Sequence, residues 1–275
     1  MKKIVLNKPL VSVDWLNSNL GASNLIILDA TIPKVTGGGG SINEEQIPTS
    51  RFFDLKNKFS DVSAPFPTTF PSEEQFTKSA QELGINHDSA IVIYDEQGIY
   101  SSPRAWWLFK AFGHDNVAVL DGGFPKWKKA NFEVEKKHDY KGEKGDFKAQ
   151  YRPELMKFFD DVKRESKDKN HLIIDARSEA RFKCLEPEPR AGLRMGTIPN
   201  SVNIPFENLL IGLQFKSDKE LKQVFQKFAK EGDNLTFSCG SGITACVLAL
   251  GAEMAGFKNL SVYDGSWTEW GSLVD

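Results

Sequence analysis

A self-comparison constrains this chain more than any single motif does. Ile26-Ile27-Leu28-Asp29-Ala30 returns as Leu172-Ile173-Ile174-Asp175-Ala176, with Asp29 and Asp175 standing 146 residues apart. Ile47-Pro48 precedes Phe52-Phe53, as Ile198-Pro199 precedes Ile204-Pro205-Phe206. Ala90-Ile91-Val92-Ile93-Tyr94 and Asn234-Leu235-Thr236-Phe237-Ser238 stand 144 apart. Val117-Ala118-Val119-Leu120-Asp121-Gly122-Gly123 and Leu260-Ser261-Val262-Tyr263-Asp264-Gly265-Ser266 stand 143 apart, as do Trp127 and Trp270. Landmarks in one order at nearly constant spacing mark a duplicated unit. The polar, Gly- and Lys-rich stretch around 139–152 lacks periodicity and reads as a linker. We therefore expect one domain over 1–138 and a second over 153–275.

Each half has the same layout. Short aliphatic runs at 25–28, 91–94 and 117–120 are too short for core helices, are bounded by turn residues, and read as buried parallel strands. Residues 102–112 and 244–255 carry apolar side chains at helical spacing, and Gly113 and Gly256 stop them as C′ glycines. Strands alternating with helices give an α/β fold: two tandem domains, each a parallel sheet flanked by helices.

Composition excludes several classes. Lys and Arg number 35 against 37 Asp and Glu, without the basic excess of a nucleic-acid binder. No apolar run reaches the roughly 18 residues that a membrane helix needs. The opening segment has no apolar stretch of a secretory signal, so a cytoplasmic protein is expected. Cys184, Cys239 and Cys246 form no CxxC pair, so neither a disulfide framework nor a zinc site is expected. No cofactor is expected either.

Chemistry concentrates in one loop. The predicted strand 235–238 runs into Cys239-Gly240-Ser241-Gly242-Ile243, and a helix starts at Thr244. Glycines let successive N–H groups turn inward as a nest, and the helix adds unsatisfied donors and the positive end of its dipole. A cysteine at the mouth of such a loop is expected to be partly thiolate at neutral pH, and the loop can then carry a persulfide anion. The first half is the internal control: Asp95 stands where Cys239 stands, and a carboxylate cannot take up sulfur. One active and one inactive half follow. Cys246, inside the helix, reads as inert packing, and Cys184 as incidental. The four histidines (His87, His114, His138, His171) are assigned no catalytic part, and Trp267 and Trp270 are read as packing.

These features resemble the two-domain rhodanese-type sulfurtransferases. The residues that carry the resemblance are the Cys239–Thr244 loop, the ending Tyr263-Asp264-Gly265-Ser266-Trp267-Thr268-Glu269-Trp270, and the stretch Ser101-Ser102-Pro103-Arg104-Ala105-Trp106-Trp107. Phe112-Gly113-His114 fits as well, and the likeness covers almost the whole chain. A loop of this Cys-Gly-Ser-Gly type is similar to the branch that uses 3-mercaptopyruvate; thiosulfate users carry basic residues there. The resemblance implies that Cys239 is the nucleophile, with Gly240, Ser241, Gly242, Ile243 and Thr244 cradling the persulfide. It implies that Arg181 and Arg190 bind the donor's carboxylate and keto oxygen, with Arg194 a lesser candidate. Sulfur would pass to an acceptor thiol, a thioredoxin-like protein or cyanide. Ser241 would donate a hydrogen bond or relay a proton. Gln46 stands where many members have the histidine proposed to couple to that serine, so a Ser–His relay is not expected here.

Three other functions compete. The runner-up is a thiosulfate sulfurtransferase, of the same class with a different donor. A cysteine phosphatase needs an arginine six residues beyond its cysteine, where this chain has Ala245. A non-catalytic binding module would have no reason to keep one loop intact beside a degenerate twin.

Overall fold

The computed structural model describes residues 2–33 and 43–274. The glycine run 37–40, which on sequence suggests a mobile loop, lies outside the described residues. The first half builds β1 (Leu10–Val11), β2 (Leu25–Asp29), β3 (Arg51–Phe52), β4 (Ala90–Tyr94) and β5 (Val117–Leu120). The second builds β6 (Met156–Lys157), β7 (His171–Asp175), β8 (Ser201–Asn203), β9 (Asn234–Ser238) and β10 (Leu260–Tyr263). Their orders are β1-β5-β4-β2-β3 and β6-β10-β9-β7-β8, one topology used twice, with every pairing in both sheets parallel. The repeat in the sequence is thus a repeat of topology.

The helices are α1 (Val13–Asn19), α2 (Glu73–Glu82), α3 (Ser102–Ala111) and α4 (Gly123–Lys129) in the first half. The second half has α5 (Phe159–Glu165), α6 (Glu179–Phe182), α7 (Asp218–Phe225), α8 (Ala245–Met254) and α9 (Ser266–Leu273). Serine side chains cap α1, α2, α6 and α7, where they accept an otherwise orphaned backbone N–H. Gly113 and Gly256 take φ of +85° and +93° just past α3 and α8, as C′ glycines do.

Strand β4 is buried along its whole length. Helices cover both of its faces, which explains a continuous apolar run instead of an alternating one. Helices α3 and α8 follow the central strands β4 and β9, are buried almost throughout, and pack against each other where the halves meet. One apolar cluster runs through both halves, from Ile26 to Val262. The phenylalanines feed this core: Phe53, Phe59, Phe76 and Phe109 pack ring on ring.

Segment 139–152 lies extended along the first half. Phe147 is buried and its N–H donates to Ile85 O, Gln150 N–H donates to Phe112 O, and Arg152 N–H to Ala111 O. Among the described residues no helix is long and apolar enough to cross a membrane.

Candidate active site

Strand register places the chemistry. Asp29 pairs with Tyr94 and Asp175 with Ser238, so the two central strands of each sheet end level. The next residue, Asp95 in one half and Cys239 in the other, emerges at the carboxyl edge, where open α/β sheets bind ligands.

The Cys239 loop is held from behind. Trp267 N–H donates to Cys239 O at 3.0 Å and Thr268 N–H to Gly240 O at 2.9 Å, so the first turn of α9 grips the loop by its carbonyls. Ser266 Oγ accepts from the N–H of both Cys239 (3.0 Å) and Gly242 (3.1 Å), and lies 4.0 Å from Cys239 Sγ. The N–H groups of Gly240, Ser241, Ile243 and Thr244 find no acceptor among the described residues. Gly242 has φ +75°, and a Cβ there would meet Asp264 O at 2.6 Å, so only glycine fits. A Cβ on Gly240 would stand 3.0 Å from Arg181 Nη2.

Cys239 opens onto a cavity of about 300 Å³. Its walls include Gly240, Ser241, Ile243 and Thr244 of the loop, together with Arg181, Arg190, Glu188, Tyr100 and Phe206. The structure therefore brings together every site residue expected from sequence except Gly242, which shapes the loop from below.

The two arginines differ in their partners. Asp175, Arg177, Glu188 and Arg181 form a chain of alternating charge. Arg177 bonds Asp175 at 2.6 Å and Glu188 at 2.7 Å, and Glu188 also takes Arg181 at 2.5 Å. That chain is neutral as a whole. Arg190 is half-buried and, among the described residues, has no carboxylate within ion-pair distance. Burial lowers its basicity and the charge of Cys239 opposes that shift. A guanidinium stays protonated regardless, so Arg190 brings to the cavity a positive charge with no ion-pair partner among the described residues, while Glu186 and Glu207 also stand in the wall.

Arg194, the lesser candidate, does not reach the cavity. Its guanidinium donates to Val274 O at 2.9 and 2.7 Å and lies over the Trp267 ring. Trp267 and Trp270 are buried, as expected of packing. Gln46 is also away from the cavity: its amide donates to Ser50 O at 3.1 Å and Glu135 Oε1 at 2.8 Å. None of the four histidines lines it. Burial pushes the Cys246 thiol up to about 12, and the thiol donates to Gly242 O. Cys184 is free and exposed. No group of three or more His, Cys, Asp or Glu among the described residues is placed to hold a metal ion.

Sequence reasoning missed Ser266 and Arg177. Ser266 is buried at φ +50°, and its counterpart Gly123 has φ +54°. The one signal was Asp-Gly-Gly in one repeat against Asp-Gly-Ser in the other. The aspartate of that motif reaches across the molecule in both halves. Asp264 accepts Phe70 N–H at 2.8 Å, and Asp121 accepts Phe215 N–H at 3.0 Å. Buried Arg104 of α3 adds an ion pair to Asp264 at 2.6 Å.

Comparison with known proteins agrees. The rhodanese-like domain matches residues 12–130 and again 158–273. Thiosulfate/3-mercaptopyruvate sulfurtransferase 2 of Arabidopsis thaliana is 40% identical, with 97% of this chain and 85% of the relative covered. Human 3-mercaptopyruvate sulfurtransferase is 38% identical, covering 96% of this chain and 92% of the relative. The crystal structure of a 3-mercaptopyruvate sulfotransferase from Escherichia coli superposes with a TM-score of 0.84 at 32% identity, over 95% of this chain and 99% of that one. The chain belongs to the rhodanese-like family, with two copies of its domain in tandem.

Proposed function

We propose that this enzyme moves sulfur from 3-mercaptopyruvate, through a persulfide on Cys239, to a thiol or cyanide acceptor, releasing pyruvate. The observation that carries the reading is a cysteine thiol inside a cradle of amides that, among the described residues, have no acceptor, in one cavity with an Arg190 guanidinium that has no ion-pair partner among them. Arg190 takes the donor carboxylate as a forked pair, and Arg181 offers its remaining donors to the keto oxygen. The Cys239 thiolate attacks the donor's thiol sulfur, and an S–S bond forms as the C–S bond breaks. The electron pair leaves on carbon as the enolate of pyruvate, which takes the proton from the new persulfide. The persulfide anion then sits among the N–H groups of Gly240, Ser241, Ile243 and Thr244, preorganised donors that need no rearrangement as charge arrives. An acceptor thiolate or cyanide attacks the outer sulfur and returns Cys239.

Ser241 lines the cavity, which supports a hydrogen bond or a proton relay from it to the donor. A relay from Gln46 forms no part of this scheme. Reduced thioredoxin-like proteins are fitting acceptors, since one thiol can attack and a second can resolve the mixed species. Three free cysteines suit a reducing compartment, the cytoplasm included.

Thiosulfate is the second donor to consider, because some relatives carry it in their names: the Arabidopsis protein above and a rat thiosulfate sulfurtransferase, 36% identical. Residues 240–244 bring no cation for a second negative charge, which favours mercaptopyruvate. Thiocyanate formation from each donor, with wild type and Cys239→Ala, tests both readings. We expect mercaptopyruvate to be preferred and the variant to be inactive with either donor. Equal activity of variant and wild type would refute the assignment, and a preference for thiosulfate would promote the second donor.

A further inference from the structure

We propose that the half without the cysteine contributes a positioning residue, Thr68, which orients the Ser241–Gly242 peptide of the catalytic loop. This inference rests on the sulfurtransferase reading above.

Three observations lead to it. Thr68 has φ +58°, a left-handed backbone that a β-branched residue adopts only when the surroundings impose it. Its Oγ1 lies 2.8 Å from Ser241 O, across the boundary between the halves, and 2.6 Å from Pro67 O. The hydroxyl has one proton and both carbonyls lie within hydrogen-bond distance, so it can donate across the boundary to Ser241 O as well as to its own neighbour. The peptide after Ser241 is planar and trans, so its C=O and N–H point in opposite directions. Holding the carbonyl toward Thr68 therefore turns the Gly242 N–H inward, where it donates to Ser266 Oγ beside Cys239 Sγ. A flip of this one peptide would break the Gly242 bond and set a carbonyl oxygen against Ser266 Oγ, 4.0 Å from Cys239 Sγ.

The repeat supplies a control. Phe70 and Phe215 stand 145 residues apart and make the same contact to Asp264 and Asp121. At the same spacing, the counterpart of Thr68 is Leu213. Leu213 packs against the non-catalytic loop, its Cβ lying 2.7 Å from where a side chain on Gly98 would begin. It has no hydroxyl to offer. That loop needs none, because the Asp95 carboxylate inside it already takes the N–H groups of Gln97, Tyr100, Ser101 and Ser102. The catalytic loop has no carboxylate at that position to take its N–H groups. An outside clamp is present only where the cradle must stand open.

The test compares Thr68→Val, which keeps the shape and loses the hydroxyl, with Thr68→Ser, which keeps the hydroxyl. Two rates are measured: mercaptopyruvate turnover, and alkylation of Cys239 by iodoacetamide, which does not depend on the enzyme's substrate. We expect the valine variant to lose about 10-fold or more in kcat, less than removing a cradle donor outright. Its KM should hold, its alkylation should slow, and serine should restore both rates. Thr68→Gly relieves the left-handed backbone while losing the hydroxyl, and decides the matter should the valine variant not fold; it too should be slow. Wild-type rates in the valine or glycine variant, or equal losses in valine and serine, would overturn the clamp. A wild-type protein that forms no persulfide would overturn the sulfurtransferase reading instead, and the alkylation rates would still decide the clamp.

Discussion

The loops after β4 and β9 are built to one plan and hold different things. In the first half the plan is complete: Asp95 is fully buried, and its carboxylate accepts four backbone N–H groups and the Ser102 hydroxyl at 2.7 to 3.0 Å. In the second half the corresponding position is a thiol, and the N–H groups of four loop residues have no acceptor among the described residues. Both loops are fastened alike from behind, Phe124 N–H to Asp95 O as Trp267 N–H to Cys239 O. The first loop therefore displays what the second awaits. Charge-assisted hydrogen bonds used for stability in one copy are held in reserve for a bound anion in the other.

The comparison can be broken most sharply by removing each of the two residues in turn. Cys239→Ala should lower sulfur transfer by at least about 10³-fold, as loss of a covalent nucleophile does, with the melting temperature little changed. Asp95→Ala should do the reverse. It orphans several buried donors, so denaturant unfolding should report about 3–5 kcal/mol lost, with turnover normal in the fraction still folded. A stable Asp95→Ala protein would mean that the first loop is not held by its carboxylate.

Next in size are the cavity arginines. Arg190→Ala should weaken donor binding by about 2–5 kcal/mol, read from KM and from single-turnover saturation. Arg181→Ala should cost less binding, because Arg181 already shares its charge with Glu188, which keeps Arg177 when Arg181 is gone. An unchanged donor affinity in both variants would remove the carboxylate clamp from the account. A smaller gain is expected from Cys239→Asp, which copies the first loop into the second. It should raise stability by about 1–3 kcal/mol while abolishing activity, and a loss of stability would show that the loops are less alike than their backbones suggest.

The smallest effect is with acid. Burial lowers the His114 pKa below its ordinary 6.5. The folded state thus prefers the neutral ring. Its contribution is fully present above pH 6.5, and stability is lost as pH falls below that value toward the depressed folded pKa. His114→Asn should flatten that part of the stability profile, as measured by melting temperature from pH 7 to 5, without altering persulfide formation at pH 7.

Much of this was legible in the chain itself. The repeat gave the doubled sheet, and short apolar runs ending in turn residues gave the buried strands. Cys239 with two glycines gave the loop, and Asp95 at the matching position gave its silent twin. Arg181 and Arg190 were placed by resemblance and do face the cavity. Arg177 escaped although its partners Asp175 and Glu188 are near in sequence, and other contacts escaped because they join residues far apart. Ser266 acts on residues 27 and 24 positions away, and Arg104 pairs with an aspartate 160 away. Helical and strand periodicities carry no record of such pairs. Arg194, the lesser candidate, lies in an irregular segment where no period fixes direction, and it turns to Val274 O. Gln46 marks the limit of reading by analogy, since its side chain is spent on Glu135 and never meets Ser241.

One measurement bears on the central claim more directly than any other: mass spectrometry of the protein after treatment with mercaptopyruvate and without reductant. The account predicts one added sulfur atom per chain, carried on the peptide that holds Cys239 and absent from Cys239→Ala. Added sulfur on Cys184 or Cys246 instead, or none at all, would contradict it.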